Sequence, residues 1–298
     1  MKRLALSALM LAIVVVWGWT FVIVKEAIAA YGVLPFLAVR YAIATVAIGL
    51  FAARRVTRAS LTTGGLIGLV LAAAYLFQTF GLRLTTPTNS GVITGLFVVF
   101  APVANRLFYG VRTSRLLWGA IGLCVAGLVL LSGGSPDGVA PGDVLTLGAA
   151  ACFGVHVALL DRHAKHHDAS ALAFAQVGVA AIVFLLACPM RTMPAWPTRQ
   201  VWFALVMTGI VATAAAFYVQ TFVQQRLPAV QTAMIIVLEP LFAAIFGYWL
   251  ANDRLTAIQI VGAALMTGAA GVAEVVPLLR QQIRRSGPPQ APPRGQPR

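Results

Sequence analysis

Charge is what this sequence has least of. Only 10% of its 298 residues are Asp, Glu, Lys or Arg, and just eight of those are acids, whereas 60% are hydrophobic. A water-soluble domain carries a charged share of about 25%, so a soluble globular enzyme or binding module is excluded. No lysine follows a glycine, which removes the Gly-Lys pair that a nucleotide-binding P-loop needs. HExxH and GxSxG are absent too, so the chain has no familiar zinc or serine hydrolase machinery. Cysteine is scarce: Cys124, Cys152 and Cys188 stand singly in apolar surroundings, and neither a disulfide framework nor a thiolate metal site can be built from them. The loop DRHAKHHD, Asp161 to Asp168, crowds His163, His166 and His167 with two aspartates, but nothing in it fixes a coordination geometry, and a basic cytoplasmic turn is the favoured reading over a metal site. No catalytic residue, metal or cofactor is expected.

What the sequence does have is long apolar runs, with a mean hydropathy of +0.87. A helix needs about 20 mostly apolar residues to cross a hydrocarbon core of about 30 Å. Ten runs qualify, near Leu4 to Val24, Leu34 to Ala52, Gly64 to Leu82, Thr88 to Phe108, Leu116 to Leu131, Gly142 to Leu160, Ser170 to Pro189, Val201 to Phe222, Ala229 to Ala251 and Ala257 to Pro277. Leu116 to Leu131, the shortest, and Gly142 to Leu160 flank the Gly- and Pro-rich loop GGSPDGVAPG, and eight or nine spans are the alternative. The first run matches a full span rather than a signal-peptide core, and Lys25 and Glu26 stand where a cleavage site would need small neutral residues, so it is read as a retained helix.

Lys and Arg distribute unevenly between the loops. With ten spans and an inside N-terminus, Lys25, Arg83, Arg191, Arg199 and Arg254 fall outside, Arg40 falls within a span, and the rest of the 22 fall on the cytoplasmic side. Both termini are therefore expected in the cytoplasm. The net charge of +14 follows from this bias and argues for contact with anionic lipid rather than nucleic acid.

The two halves of the chain align with each other at a nearly constant offset. YLFQTF (Tyr75 to Phe80) matches FYVQTF (Phe217 to Phe222), and ITGLFVVFAPV (Ile93 to Val103) matches QTAMIIVLEPL (Gln231 to Leu241). Trp17-Gly18 pairs with Phe153-Gly154, Arg40 with Gln176, Thr94 with Thr232 and Pro102 with Pro240. Five helices is an odd number, so a duplicated unit enters the membrane upside down, the arrangement that permits alternating access. The predicted fold is an all-α membrane protein of ten transmembrane helices in two inverted five-helix repeats. Its expected parts are a first repeat at 1–132, a loop at 133–141, a second repeat at 142–277, and a disordered basic tail at 278–298.

Three stretches carry a resemblance to a known family: WGWTFVIVKEAIA with Pro35 and Arg40 behind it, YLFQTFGLRLTTPTNSGVITGLFVVFAPV, and VLEPLFAAIFGYWLANDRLTAIQIVGAALMTGAAG. In order and spacing they resemble the drug/metabolite transporter superfamily, specifically its EamA-like ten-helix bacterial members. The resemblance covers nearly everything before the tail. It implies a secondary transporter, most members exporting small metabolites, amino acids or drugs, with a central cavity between the repeats. Family halves commonly close their fourth and ninth helices with an acid before an arginine; Asp253-Arg254 fits in the second half, but GVRTSR in the first has no acid.

Polar groups inside the spans are the candidate site. A carboxylate near the bilayer centre costs roughly 3 kcal/mol, so Glu239 must face the bundle or a wet cavity. It is a substrate contact, a proton carrier, or a structural acid paired across helices. Pro240 beside it, and Pro102 at the matching place, interrupt their helices and point to the binding region. Trp17, Phe21 and Lys25 share one helix stripe that either lines the cavity or ends with Lys25 snorkelling to the interface. Arg40 is either a fold-holding partner of Glu26 or a fork for a substrate carboxylate. Gln78, Thr79, Gln220 and Thr221, with Thr94 and Thr232, bond a cargo or cross-link helices. Gly91 and Gly95 form a GxxxG that packs internally or in a homodimer. The expected partners are a small-molecule substrate, the lipid bilayer and protons, and an acid in one half with cations in the other suits a zwitterion. The rival readings are an exporter of lipophilic cations and a membrane scaffold or enzyme without flux.

Overall fold

The computed structural model describes residues 3–85, 87–131, 140–188, 196–250 and 256–286, with side chains except at 88, 89, 247, 250 and 273–286. Among these every regular element is helical. In lipid no water satisfies the backbone, and a helix bonds its own N–H and C=O groups within one segment. The elements are α1 (Arg3–Tyr31), α2 (Val33–Ala52), α3 (Arg58–Leu84), α4 (Pro87–Gly95), α5 (Phe97–Tyr109), α6 (Arg115–Leu131) and α7 (Pro141–His163). They continue with α8 (Ala169–Ala187), α9 (Arg199–Val206), a π-helical segment (Met207–Ala215), α10 (Ala216–Gln224), α11 (Ala229–Ile236), α12 (Glu239–Leu250) and α13 (Ala257–Ser286). Among the described residues eight helical stretches are long and apolar enough to cross a membrane, and Arg115–Leu131 and Ala257–Val272 are shorter apolar helices. Leu50 at 85% and Leu186 at 82% exposure are apolar side chains of the kind a lipid-facing surface carries.

The long spans pack across the chain's midpoint rather than within each half. A Cβ placed on Gly18 of α1 would lie 2.7 Å from Cβ of Phe242 in α12, and one on Gly154 of α7 would lie 2.4 Å from Cβ of Phe100 in α5. A Cβ on Gly68 of α3 would lie 2.5 Å from the Gln176 carbonyl oxygen of α8, and one on Gly209 of the π segment 3.0 Å from the Arg40 carbonyl oxygen of α2. Gly127 of α6 and Gly262 of α13 each face the other's carbonyl, at 2.7 and 2.6 Å. Small residues let helix backbones approach closely where lipid supplies no hydrophobic drive. Tyr41, Phe36, Phe184 and Phe217 fill the space so enclosed and are fully buried.

The loop Asp161–Asp168 is used structurally. Asp168 caps α8, accepting from the N–H groups of Ser170 and Ala171, and pairs with Arg55 at 3.6 Å. Burial pushes its pKa up, but the Ser170 hydroxyl, the Ala171 and Ser170 amides and Arg55 outweigh that and hold the carboxyl below its usual range. Asp161 accepts from the Ala229 amide at 3.0 Å, and the Gln225 side chain donates to the carbonyls of Ala164 and His167. Among the described residues no three His, Cys, Asp or Glu side chains gather as a ligand set. Helix α13 continues past Pro277 to Ser286, and the Asp253-Arg254 pair, most of the 133–141 loop and residues 287–298 lie outside the described residues.

Candidate functional site

The site is built where helices break. Pro240 has no N–H, and the chain turns at Val237 and Leu238, with Val237 N–H bonding the Ala233 carbonyl at 2.9 Å and Leu238 N–H the Ile235 carbonyl at 3.2 Å. Glu239 then opens α12, where unpaired amides make the helix end electropositive. In the first half the break comes at Leu96, whereas Pro102 itself stands inside α5. The proline ring clashes with the carbonyl one turn before it, which displaces the distortion upstream of Pro102.

Around these breaks lies a cavity with about 720 Å³ of atom-free space, open solvent at its mouth included. Of the residues singled out from sequence it is lined by Trp17, Phe21, Arg40, Gln78, Thr79, Thr94, Gln220 and Glu239. Arg40, 4% exposed, donates from Nε to the Thr213 hydroxyl at 2.8 Å and lies 5.1 Å over the Tyr75 ring and 5.8 Å over that of Tyr41. Its expected partner Glu26 instead accepts from the Gln200 amide at 2.9 Å, because α1 and α2 place the two side chains against different neighbours. Glu239 is half-buried, and no ion pair joins it to Arg40 although both line one cavity.

Lys25 does not line the cavity. Its ammonium donates to the carbonyls of Leu82 at 2.5 Å and Thr85 at 2.7 Å, with Arg83 at 3.4 Å, neutralising the electronegative end of α3. Thr232 is fully buried outside the lining, with its hydroxyl oxygen unpartnered. Gly91 and Gly95 face Phe21, Leu128 and Pro240, so the GxxxG surface is occupied within the molecule.

Several lining residues escaped the sequence reading. His156 of α7 bonds the Gln176 side chain at 2.8 Å, and Gln176 in turn donates to the Thr221 hydroxyl at 3.0 Å. Trp17 tilts against Phe217 at 5.9 Å, Phe153 stands edge-on to Tyr75 at 5.4 Å, and Tyr75 meets Phe217 at 6.1 Å. These four rings are the two aligned pairs, Trp17 with Phe153 and Tyr75 with Phe217, each contacting a ring of the other half. The alignment held the signal, since both pairs sit in its matched stretches.

The EamA-like transporter family matches residues 5–133 and again residues 140–273. The chain belongs to the EamA-like transporter family. It is 32% identical over 269 residues to an uncharacterized transporter of Archaeoglobus fulgidus, covering 89% of this chain and 84% of the relative. It is 26% identical over 172 residues to the threonine/homoserine exporter RhtA of Salmonella typhimurium, covering 56% of this chain and 57% of RhtA. A solved crystal structure superposes with a TM-score of 0.74 at 20% identity, covering 94% of this chain and 99% of the other, a likeness of fold. This EamA-like protein is thus a multi-pass membrane transporter by family and composition.

Proposed function

We propose that the protein exports small zwitterionic metabolites such as amino acids by alternating access, with Glu239 coupling export to proton movement. The observation that carries this is a cation and an acid, Arg40 and Glu239, lining one cavity without pairing to each other. A guanidinium and a carboxylate left apart can take the carboxylate and ammonium of one cargo. The similarity to a threonine/homoserine exporter supports the same substrate class. Two separate family matches, the aligned aromatic pairs and the crossed glycine contacts support ten spans in two inverted repeats. The bias of Lys and Arg supports cytoplasmic termini in the inner membrane.

A second reading rests on the ring-rich lining: Trp17, Tyr75, Phe153 and Phe217 beside Glu239 also suit a lipophilic cation. Proteoliposomes decide between the two. Labelled threonine, homoserine and leucine, and a quaternary aromatic cation, are loaded separately and their efflux is followed under an imposed pH gradient. The proposal expects amino-acid efflux that the gradient accelerates, and a Glu239→Gln variant that inserts normally but no longer responds to the gradient. Movement of the cation alone would replace the proposal with the second reading, and movement of uncharged solutes alone would remove both.

A further inference from the structure

Among the described residues, two buried polar atoms of the second half have no hydrogen-bond partner: Oε1 of Gln220, in a residue 2% exposed, and the hydroxyl oxygen of Thr232, in a residue 0% exposed. Such atoms are uncommon in folded proteins because an unmade bond away from water is costly. Their positions are telling. Gln220 and Thr232 align with Gln78 and Thr94 of the first half, and there the bond exists, from Gln78 Nε2 to the Thr94 hydroxyl at 3.3 Å. The first half therefore has its tie closed, whereas in the second half Gln220 Nε2 donates elsewhere and the Thr232 hydroxyl and Gln220 Oε1 are left over.

We infer that Gln78–Thr94 and Gln220–Thr232 are positioning ties that are made alternately during transport. This rests on the alternating-access reading above. Each tie would bind the first piece of an interrupted helix to the long helix before it: α4 to α3 in one half, α11 to α10 in the other. These pieces end at the breaks that bring Glu239 and Phe97 to the cavity, so loosening one changes the cavity wall.

The open tie has a local substitute. Gln220 Nε2 donates to Gln224 Oε1 at 3.1 Å, and Gln224 Nε2 donates to the Val157 carbonyl at 2.9 Å. That chain fixes the amide so that its oxygen is the end left over. Turning Gln220 toward Thr232, so that the hydroxyl donates to Oε1, is the one bond that would give both left-over atoms a partner. The first half lacks this parking place, because one turn beyond Gln78 stands Leu82 where the second half has Gln224. Gln78, once released, turns its amide to the cavity it already lines. In an inverted repeat the halves exchange conformations between the two end states, and unequal ties in one state are what that exchange requires.

Two double variants test the inference: Gln78→Leu/Thr94→Val, which cuts the closed tie, and Gln220→Leu/Thr232→Val, which prevents the open one from closing. Each is combined with a single cavity cysteine, Val24→Cys or Val157→Cys, on a background without the native cysteines. Membrane-impermeant maleimide is applied from each side of sealed vesicles. The expected result is that the ratio of outside to inside labelling moves about fivefold in opposite directions for the two doubles, the change one hydrogen bond produces in a two-state population. Shifts in the same direction, or none, overturn the inference. If a double does not fold, Thr94→Val and Thr232→Val singles decide by melting temperature. Thr94→Val should lower it and Thr232→Val should not, and equal losses overturn the idea. Labelling needs no cargo, so a wrong substrate class would appear only as absent amino-acid flux in the wild type.

Discussion

Replacing Gly154 by alanine probes the crossing of α7 and α5 directly. The new Cβ would stand 2.4 Å from Cβ of Phe100, 2.8 Å from its carbonyl carbon and 2.9 Å from the Ala101 nitrogen. Non-bonded carbons settle at about 3.5–4.0 Å, so α7 must withdraw by about 1 Å. Two of the three clashing atoms are backbone, which no rotamer change can move aside. Overpacking of this kind costs about 1–3 kcal/mol, while Gly→Ala inside a helix returns up to about 1 kcal/mol. A control separates the two effects: a Cβ on Gly122 meets nothing within 4 Å, so Gly122→Ala keeps only the gain. The two alanine variants should therefore differ by about 1–3 kcal/mol in stability, with Gly154→Ala the weaker. Gly18→Ala, facing Phe242, Glu239 and Ala243, should follow Gly154→Ala. The measurement is thermal or denaturant unfolding of purified protein in one detergent, followed by the fraction that remains monodisperse. Flux should fall with it, because α7 carries Phe153 and His156 into the cavity. If Gly154→Ala unfolds together with Gly122→Ala, the close crossing does not exist in the native protein.

Lys25→Met should destabilise by about 1.5–3 kcal/mol and speed amide exchange at the end of α3, since the carbonyls of Leu82, Arg83 and Thr85 lose a charged donor; a raised KM with unchanged melting would instead make Lys25 a cargo contact. Arg40→Lys keeps the charge but loses the Nε bond to Thr213 and the guanidinium over the Tyr75 ring, and should raise KM for an amino acid about tenfold; an unchanged KM removes Arg40 from the binding step. Asp168→Ala should cost about 1 kcal/mol as a lost helix cap. The folded protein holds that carboxyl below its usual range, so its contribution is complete above that range and fades as pH falls through the lower folded value. The gap between wild type and Asp168→Ala should thus shrink below about pH 4, and a gap that persists unchanged in acid would show that ionisation is irrelevant to the cap.

The apolar runs were legible in the sequence, because a bilayer demands length and hydropathy and little else of a helix that crosses it. Polar residues inside the spans were legible for the same reason: Glu239, Arg40, Gln78 and Gln220 stand out in runs where each such group needs a purpose. Rotation of each helix was not legible. A span apolar on all sides has no preferred face in its own pattern, so Tyr75, Phe153 and Phe217 read the same whether they met lipid or cavity. Lys25 was assigned to a stripe by helical spacing, yet its ammonium goes to the end of α3, a neighbour known only once the helices pack. The location of the first break likewise depended on how a proline's strain is relieved upstream, and Thr232 was turned from the cavity by the setting of α11. Composition and periodicity act residue by residue along one chain and settle which segments enter the membrane; which side chains meet inside it depends on contacts between halves far apart in sequence, and only the tertiary structure holds those.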